Sequence, residues 1–457
     1  PYISRVLLAD GSGKIIFASS VANYFLMVAS LGIPTYGIRA CAQVRDNRIE
    51  LSRTAHELLF INAVTTILVS ISYLVCVLSI PRLRTEETLF FINGINIVLN
   101  MFGMNWLFQA LEQYDYITIR SLVFKIVSVL LMVVLVHKKS DYVIYGAITV
   151  FAAVGSNVLN FIRARHYIEF RWLGGYHLNQ HIKPIFILFA QSLAVSVYTN
   201  LDTIMLGFIK TDTDVGYYNA AIKIKTILLS LVSSLGSVLL PRMSYYAKEN
   251  MKVKFIQTMT MALNFTMLIS IPLALYFSAF SNECIWFLAG DGYSGAIVAM
   301  QIITIAVIPN GLTGVLGVEV LTALKQEKYV LYSVVIGAVL DFILNLLFIP
   351  KYGATGAALA TMIAEFSVLT VQVTYTKGLI CQIKDLLQWK KYLLLSILAV
   401  AFACLIKQFQ IENIFFELVI SAIMFFAIYG IGLLTLKDEF AIEAIKLVKA
   451  KIAHSNQ

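Results

Sequence analysis

The sequence predicts an all-α integral membrane protein. Hydrophobic residues make up 59% of the 457-residue chain and charged residues only 13%, whereas a soluble domain carries about 25% charged residues. The mean hydropathy is +0.81. Apolar stretches of about 20 residues, the length that crosses a bilayer as a helix, recur from end to end. The polar segments between them are too short to fold as separate domains.

Thirteen stretches qualify as membrane spans. They lie near residues 14–38, 54–80, 88–110, 117–136, 142–163, 184–209, 215–240, 254–277, 294–322, 330–349, 353–376, 391–407 and 413–436. Pro81 is expected to end the second span, because a proline inside a helix removes a backbone hydrogen bond and clashes with the preceding turn. Pro350 and Gly353 are expected to separate the tenth span from the eleventh.

Lys and Arg predict the orientation. Alternate loops are rich in these residues, whereas the loop 278–293 contains none, and the basic loops are expected to be cytoplasmic. Residues 1–13 then lie outside, so we expect a further span before them, and the first helix is missing or incomplete here. The segment 39–56 alternates basic and apolar residues and predicts a short helix on the membrane surface.

An internal repeat indicates the domain organisation. QALEQYDY (109–116) matches TALKQEKY (322–329), and YGAITVFAA (145–153) matches YGATGAALA (352–360), at an offset of roughly 205–213 residues. With the missing span restored, each half holds six helices, so we expect two six-helix bundles related as parallel repeats. The predicted domains are an N-terminal bundle (1–163), a cytoplasmic linker (164–183), a C-terminal bundle (184–377), and two additional helices with a basic tail (378–457).

Basic residues lie where the hydrocarbon of the bilayer is expected. Arg120, Lys125 and Lys223 fall in predicted spans, and each such charge costs about 2.5–3.5 kcal/mol at the centre of a spanning helix. They predict a wet, positively charged cavity, and hence a transporter of an anionic cargo. Arg120 and Lys125 have a second interpretation, since both lie near a cytoplasmic end and can extend to the membrane surface.

Acidic and neutral polar residues share these spans. Asp202, Asp341 and Glu365 are candidates for coupling to H⁺ or Na⁺, or are structural carboxyl groups. Asp202 reaches the depth of Lys223 in a helical hairpin, which predicts an ion pair, with a role either in function or in packing. Two polar faces are formed by Asn93, Asn96 and Asn100 and by Ser196, Thr199 and Asn200. These faces fit either hydrogen bonding between helices or the lining of a cavity that solvates sugar hydroxyls.

Several motifs resemble one transporter family. They are PYISRVL (1–7), VANYFLMVASLGIPTYGIR (21–39), NLDTIMLG (200–207), VGYYNAAIKIK (215–225), LLPRMS (239–244) and GATGAALATMIAE (353–365). They look like the Wzx-type flippases of polysaccharide repeat units (O-antigen or capsule), whose superfamily includes multidrug exporters and the lipid II flippase. The resemblance implies a V-shaped pair of bundles in the bacterial cytoplasmic membrane. It also implies alternating access and a cargo of undecaprenyl-pyrophosphate-linked oligosaccharide.

The same resemblance implies a cationic substrate site. In relatives, basic residues around a Ser-Arg pair and on the first helices of both halves line a cationic cavity. Here Ser4 and Arg5 match that pair, and Lys223 matches the position in the second half. The resemblance therefore implies that Arg5 and Lys223 contribute to substrate binding, and we expect Arg120 and Lys125 to do so as well, because they are basic residues within predicted spans.

The remaining expectations follow from what the sequence lacks. It has no Walker A glycine loop and no metal-ligand spacing. We therefore expect a transporter rather than an enzyme, with no cofactor and with an ion gradient or the membrane potential, not ATP, as the energy source. We expect a monomer with membrane lipids as partners and no nucleic acid. One alternative is a drug or cation exporter of the same superfamily. The other is a membrane glycosyltransferase or polymerase, which would need a larger outer loop than 278–293.

Overall fold

The computed structural model describes residues 1–409, 411–438, 440 and 442, without the side chains of residues 191, 194, 195, 197, 198 and 235–238. Helices are the regular secondary structure of that part of the chain, so the predicted all-α class is confirmed. The basic tail expected after residue 442 lies outside the described residues.

The first half of the chain forms ten α-helices among the described residues. They are α1 (Tyr2–Ser30), α2 (Ile33–Ala42), α3 (Arg48–Ser79), α4 (Pro81–Arg84), α5 (Glu87–Met101), α6 (Asn105–Ala110), α7 (Tyr114–Leu135), α8 (Tyr142–Val154), α9 (Asn157–Ala164) and α10 (Asn179–Ile209).

The second half forms eleven more among the described residues. Its helices are α11 (Asp212–Val232), α12 (Gly236–Lys248), α13 (Lys252–Ala279), α14 (Ser281–Ala289), α15 (Ala296–Ile305), α16 (Val307–Thr313), α17 (Glu327–Tyr352), α18 (Ala354–Tyr375), α19 (Lys377–Ile383), α20 (Trp389–Cys404) and α21 (Ile414–Thr435). A π-helical segment, Gly314–Leu321, follows α16.

Membrane spans coincide with the predictions. Among the described residues, eleven helical stretches are long and apolar enough to cross a bilayer, and each overlaps one predicted span. The other two predicted spans, 184–209 and 215–240, are helical throughout, as α10 and as α11 with the start of α12. The outer face of α7 is typical of the spans, since Ile119 and Leu122 are more than half exposed, as lipid-facing side chains are.

Helix boundaries confirm two of the local predictions and correct two others. Pro81 separates α3 from α4, as expected. The surface helix predicted at 39–56 is wrong: α2 ends at Ala42, and α3 begins at Arg48 because the Asn47 side chain accepts hydrogen bonds from two backbone N–H groups of its first turn. Pro350 does not end a helix. The break before α18 comes at Gly353, whose φ of +55° is a conformation that glycine adopts without strain.

The chain divides into two compact units. The N-terminal unit contains residues 2–216 and the C-terminal unit contains residues 217–457 with Pro1. In the N-terminal unit α1, α3, α5 and α8 pack together, and α10 packs against α1 and α2. In the C-terminal unit α13, α15, α16 and α18 form the centre, with α20 packed on α13 and α21 on α20. The domains predicted at 1–163, 184–377 and 378–457 stay a prediction.

Candidate functional site

A polar cavity of about 160 Å³ lies in the N-terminal unit. We call it the amide cavity. Its polar wall consists of Ser30, Asn62, Asn100, Asn105, Trp106 and Gln109. At roughly 30 Å³ per water molecule, the volume is that of about five waters. A wall of amides beside one aromatic ring offers both donors and acceptors to an uncharged polar ligand.

Hydrogen bonds between helices orient the amides of this cavity. Asn100 on α5 donates to the Ser30 hydroxyl on α1 at 2.9 Å. The side-chain oxygen of Asn105 on α6 accepts from Asn160 on α9 at 3.0 Å and from Arg120 on α7 at 3.2 Å. Because two donors occupy that oxygen, the Asn105 amide is fixed in orientation.

Trp106 fills one side of the amide cavity. Its side chain is only 5% exposed and lies directly over Gly37 of α2, where an added Cβ would come within 2.9 Å of the ring. The absence of a side chain at Gly37 is therefore what lets the indole pack against α2 and form the wall.

Arg120 is a buried cation beside the amide cavity. Its side chain is 8% exposed, and its Nε and Nη1 atoms have no hydrogen-bond partner among the described residues. Its Nη2 atom donates to Asn105 and, at 3.3 Å, to the Ser121 hydroxyl, and its guanidinium carbon lies 5.8 Å from the centroid of the Tyr116 ring. Arg163 lies over the same ring at 3.9 Å. Burial of Arg120 excludes the simple extension of this side chain to the surface.

Two other basic side chains of the N-terminal unit, Lys14 and Arg82, differ from Arg120 because carboxylates neutralise them. Lys14 lies 2.8 Å from Glu86. Arg82 lies 2.5 Å from Asp212 and donates to a backbone carbonyl at 2.7 Å. Arg120 forms no ion pair with any described residue, so its buried positive charge has no counterion among them.

The other predicted cations are exposed. Arg5 lies near the start of α1, and Lys125 lies on α7 among exposed apolar side chains such as Leu122 and Ile126. That position fits the interpretation of Lys125 as a lysine that extends along the membrane-facing surface. Lys223 is exposed on α11, whereas its neighbour Lys225 is buried, so the two do point to different faces.

The predicted asparagine face lies on α5. Asn93 is buried and its side-chain N–H bonds back to the Leu89 carbonyl at 2.8 Å. Asn96 is half-buried, with its side-chain oxygen unbonded to the described residues, and Asn100 reaches the amide cavity. Only the last of the three therefore contributes to that cavity.

The polar residues predicted on α10 lie at its middle. Ser196 is half-buried, and Thr199 and Asn200 are exposed, with Asn200 donating to the Thr199 hydroxyl at 2.8 Å. Asp202 is buried in the N-terminal unit. Its predicted pairing with Lys223 of the C-terminal unit stays a prediction.

The buried lysine of the C-terminal unit has an acidic partner that the sequence analysis did not assign. Lys225 on α11 lies 3.0 Å from Glu365 on α18, and Asn310 on α16 donates to the same Glu365 oxygen at 2.6 Å. Asp341, the other predicted coupling acid, accepts from Asn345 at 3.1 Å. Both acids are buried and hydrogen-bonded.

Two further buried groups were missed. Glu319 lies in the π-helical segment and is 4% exposed; a lone acid in the apolar run GVLGVEVL is the same signal that singled out Asp341. A second group joins three helices: His181 contacts Glu57 at 2.7 Å and Tyr36 at 2.8 Å. Its members are too distant in sequence for any local pattern to connect them.

Comparison with known proteins shows which family the chain resembles. Residues 1–247 match the model of the family described as polysaccharide biosynthesis protein, and residues 188–347 match the MatE family. The chain is 25% identical over 390 residues to an Escherichia coli protein named as an O-antigen transporter, covering 83% of this chain and 93% of the relative. It is 27% identical over 174 residues to the Haloferax volcanii protein Agl15, named as a low-salt glycan biosynthesis flippase, covering 38% of this chain and 36% of the relative.

A solved structure shares the fold. The lipid II flippase MurJ in an inward closed conformation superposes with a TM-score of 0.77 at 17% identity, covering 96% of both chains. The first family model spans more than half of the residues, and the helices match those of a membrane transporter. The chain therefore belongs to the polysaccharide biosynthesis protein family, as a multi-pass membrane protein with the fold of the flippases and multidrug exporters that its motifs resemble.

Proposed function

We propose that this chain is a flippase that moves undecaprenyl-pyrophosphate-linked oligosaccharide repeat units across the cytoplasmic membrane by alternating access, for surface polysaccharide synthesis. The names of the relatives in Escherichia coli and Haloferax volcanii, an O-antigen transporter and a glycan flippase, support a lipid-linked glycan as cargo. The family membership supports the same pathway.

The observation that carries the proposal is Arg120, a buried cation that is hydrogen-bonded to Asn105 in the wall of the amide cavity. A buried guanidinium with two unbonded donors and no carboxylate attracts an anionic group such as pyrophosphate, and repels organic cations. The amides beside it offer hydrogen bonds to sugar hydroxyls. The two chemistries together match a cargo that is both charged and polyhydroxylated.

Physical chemistry explains why such a cargo needs a protein. Moving one hydroxyl group from water into hydrocarbon without a partner costs about 4–8 kcal/mol, and an oligosaccharide carries many. A cavity in the membrane that replaces these bonds lowers the barrier, while the polyprenyl chain stays in lipid. No covalent bond is broken, so this activity requires no catalytic residue.

The test is complementation of a strain whose own repeat-unit flippase has been deleted. Arg120→Ala should reduce export of surface polysaccharide at least tenfold. Arg120→Lys should restore part of it, because lysine keeps the charge but loses the planar set of donors. Export is measured as surface glycan per cell, at equal amounts of membrane-inserted protein.

Arg84→Ala is the matched control, since Arg84 is an exposed arginine at the end of α4 and loses the same charge. Wild-type export by the Arg120→Ala protein would refute the proposed site. Resistance to cationic drugs without any effect on surface glycan would instead favour the exporter alternative.

A further inference from the structure

The C-terminal unit contains a second cavity, of about 290 Å³. It lies between α11, α12, α13, α16 and the π-helical segment, and much of its wall is hydrocarbon, including Leu229, Val232, Leu239 and Val315. Glu319 is the one titratable side chain in this lining among the residues that the structure describes. We call this space the carboxyl cavity.

Glu319 lacks a countercharge. Its Oε2 atom is buried and receives no hydrogen bond from the described residues, and none of the ion pairs formed by those residues includes it. An ionised carboxylate buried without a partner is strongly disfavoured relative to the same group in water. In the closed cavity, the neutral acid with its proton is therefore the favoured form.

The backbone around Glu319 is irregular. Residues 314–321 form a π-helix, an arrangement that is rare and is found frequently at functional sites. Gly314 faces open space, with no atom within 4 Å of an added Cβ, whereas Gly317 packs directly against the Gln372 amide of α18. One side of the segment thus borders the cavity and the other is held against a neighbouring helix.

The charged groups of the packed helices do not reach Glu319. The segment packs against α12, α13, α16, α17 and α18, and their contributions to the cavity wall are uncharged. The exposed charged residues of these helices are Arg242, Lys248, Lys252, Lys254, Glu327, Lys328 and Lys351. Of the two buried acids, Asp341 is hydrogen-bonded to Asn345, and Glu365 is paired with Lys225. The tyrosines of these helices are Tyr245, Tyr246, Tyr276, Tyr329, Tyr332, Tyr352 and Tyr375, and none lines the cavity.

One wall residue connects Glu319 to the buried ion pair. Asn310 lines the carboxyl cavity and donates to Glu365 at 2.6 Å, while Glu365 holds Lys225 of α11. Asn310 therefore borders both the carboxyl cavity and the ion pair between α11 and α18.

We propose that Glu319 is a proton-binding site through which a proton gradient drives transport. When the cavity opens to water, the O–H bond of the Glu319 carboxyl breaks, its electron pair stays on the carboxylate and the proton passes to water. When the cavity closes, a proton is taken up again, because the anion has no partner there. The coupling role rests on the proposed flippase function.

A proton fits this site better than a metal cation does. A hard cation is usually held by several oxygen ligands, whereas most of this wall is hydrocarbon. A proton needs only the carboxyl group.

Infrared difference spectroscopy of the full chain in lipid nanodiscs tests the site without any transport. Exposed carboxyl groups, with pKa values of about 4, are already ionised at neutral pH. Titration from about pH 6 upward should therefore show the loss of a carbonyl-stretch band from a carboxyl group that is still protonated, and Glu319→Gln should abolish that band. Glu283→Gln is the matched control: Glu283 is also buried but pairs with Lys407 at 2.8 Å, so its substitution should leave the band intact. A band that survives Glu319→Gln, or that is removed by Na⁺ at constant pH, would overturn the assignment.

Transport in liposomes tests the coupling. An imposed pH gradient should stimulate flipping of a lipid-linked oligosaccharide by the wild type. In Glu319→Gln the stimulation should be at least tenfold smaller than in the wild type. The variant should keep wild-type thermal stability, because glutamine imitates the neutral acid. Stimulation of Glu319→Gln to within twofold of wild type would overturn the coupling role. If the wild type moves no oligosaccharide, the proposed function fails, and the infrared band still decides whether Glu319 binds a proton.

Discussion

The amide cavity lies in the N-terminal unit and the carboxyl cavity in the C-terminal unit, and the two have opposite chemistry. Trp106 in the amide cavity and Glu319 in the carboxyl cavity are 213 residues apart, the same offset that relates Gln113 to Gln326 in the repeated turn. The first cavity has an amide wall and an adjacent buried arginine. The second has a mostly hydrocarbon wall and a lone acid. The two halves of a repeated sequence thus contain cavities of different polarity, because their lining residues differ.

The repeated turn shows how closely the backbones correspond. Glu112 has a φ of 57° and Lys325 a φ of 58°, both in the left-handed region. After each of them one backbone N–H bonds five residues back, from Gln113 to Phe108 at 2.9 Å and from Gln326 to Leu321 at 2.8 Å. The repeat read from QALEQYDY and TALKQEKY is therefore a repeat of conformation.

The largest expected effect concerns the buried cations, which differ between the units. Lys225→Met should destabilise the protein by about 3–5 kcal/mol, because Glu365 is left as an uncompensated buried charge. Adding Glu365→Leu should recover most of the loss. Thermal unfolding in detergent measures both variants. Equal stability of the single and double variants would mean that the pair is not formed.

The next effect concerns the walls of the two cavities. Gly37→Ala should cost about 1–3 kcal/mol, because the new methyl group falls within 2.9 Å of the Trp106 ring and overpacking has that cost. Gly314→Ala at the carboxyl cavity meets no atom within 4 Å and should be tolerated. The two variants are compared by their unfolding temperatures, and a loss of stability in Gly314→Ala alone would contradict the described walls.

A smaller effect is expected for transport. Gln109→Ala removes one amide from the amide cavity and should reduce glycan export about two- to tenfold, since one hydrogen bond is worth about 0.5–1.5 kcal/mol. Gln382→Ala is the control, because Gln382 is an exposed glutamine that bonds only to its own helix. Export is measured in the complemented strain, and a loss in Gln382→Ala that equals the loss in Gln109→Ala would deny the cavity any special role.

The smallest expected effect concerns the two repeated turns at Glu112 and Lys325. Glu112→Gly and Lys325→Gly should each raise stability by up to about 1 kcal/mol, because glycine adopts a left-handed φ without the steric cost of a side chain. The ion pair of Glu112 with Arg45 is exposed, and its loss should matter little. Unequal shifts of unfolding temperature would indicate that the two turns are not equivalent.

Much of the fold was predictable from the sequence because the bilayer imposes a strict rule. Backbone groups in hydrocarbon must be bonded within the helix, so a run of about 20 apolar residues leaves few alternatives, and eleven predicted spans coincide with helices. Local stop signals such as Pro81 were equally readable. The segment 39–56 was not, because its alternation of basic and apolar residues is also compatible with the ends of two longer helices.

The sequence by itself determined the helical membrane fold, the repeat and the presence of costly charges in the spans. Only the tertiary structure decided which charges are neutralised: Lys225 by Glu365, Lys14 by Glu86, and neither Arg120 nor Glu319 by any described residue. The physical reason is that apolar length is a local property of the chain. The free energy of a buried charge, in contrast, depends on a partner within a few ångströms, and that partner lies up to 140 residues away in sequence.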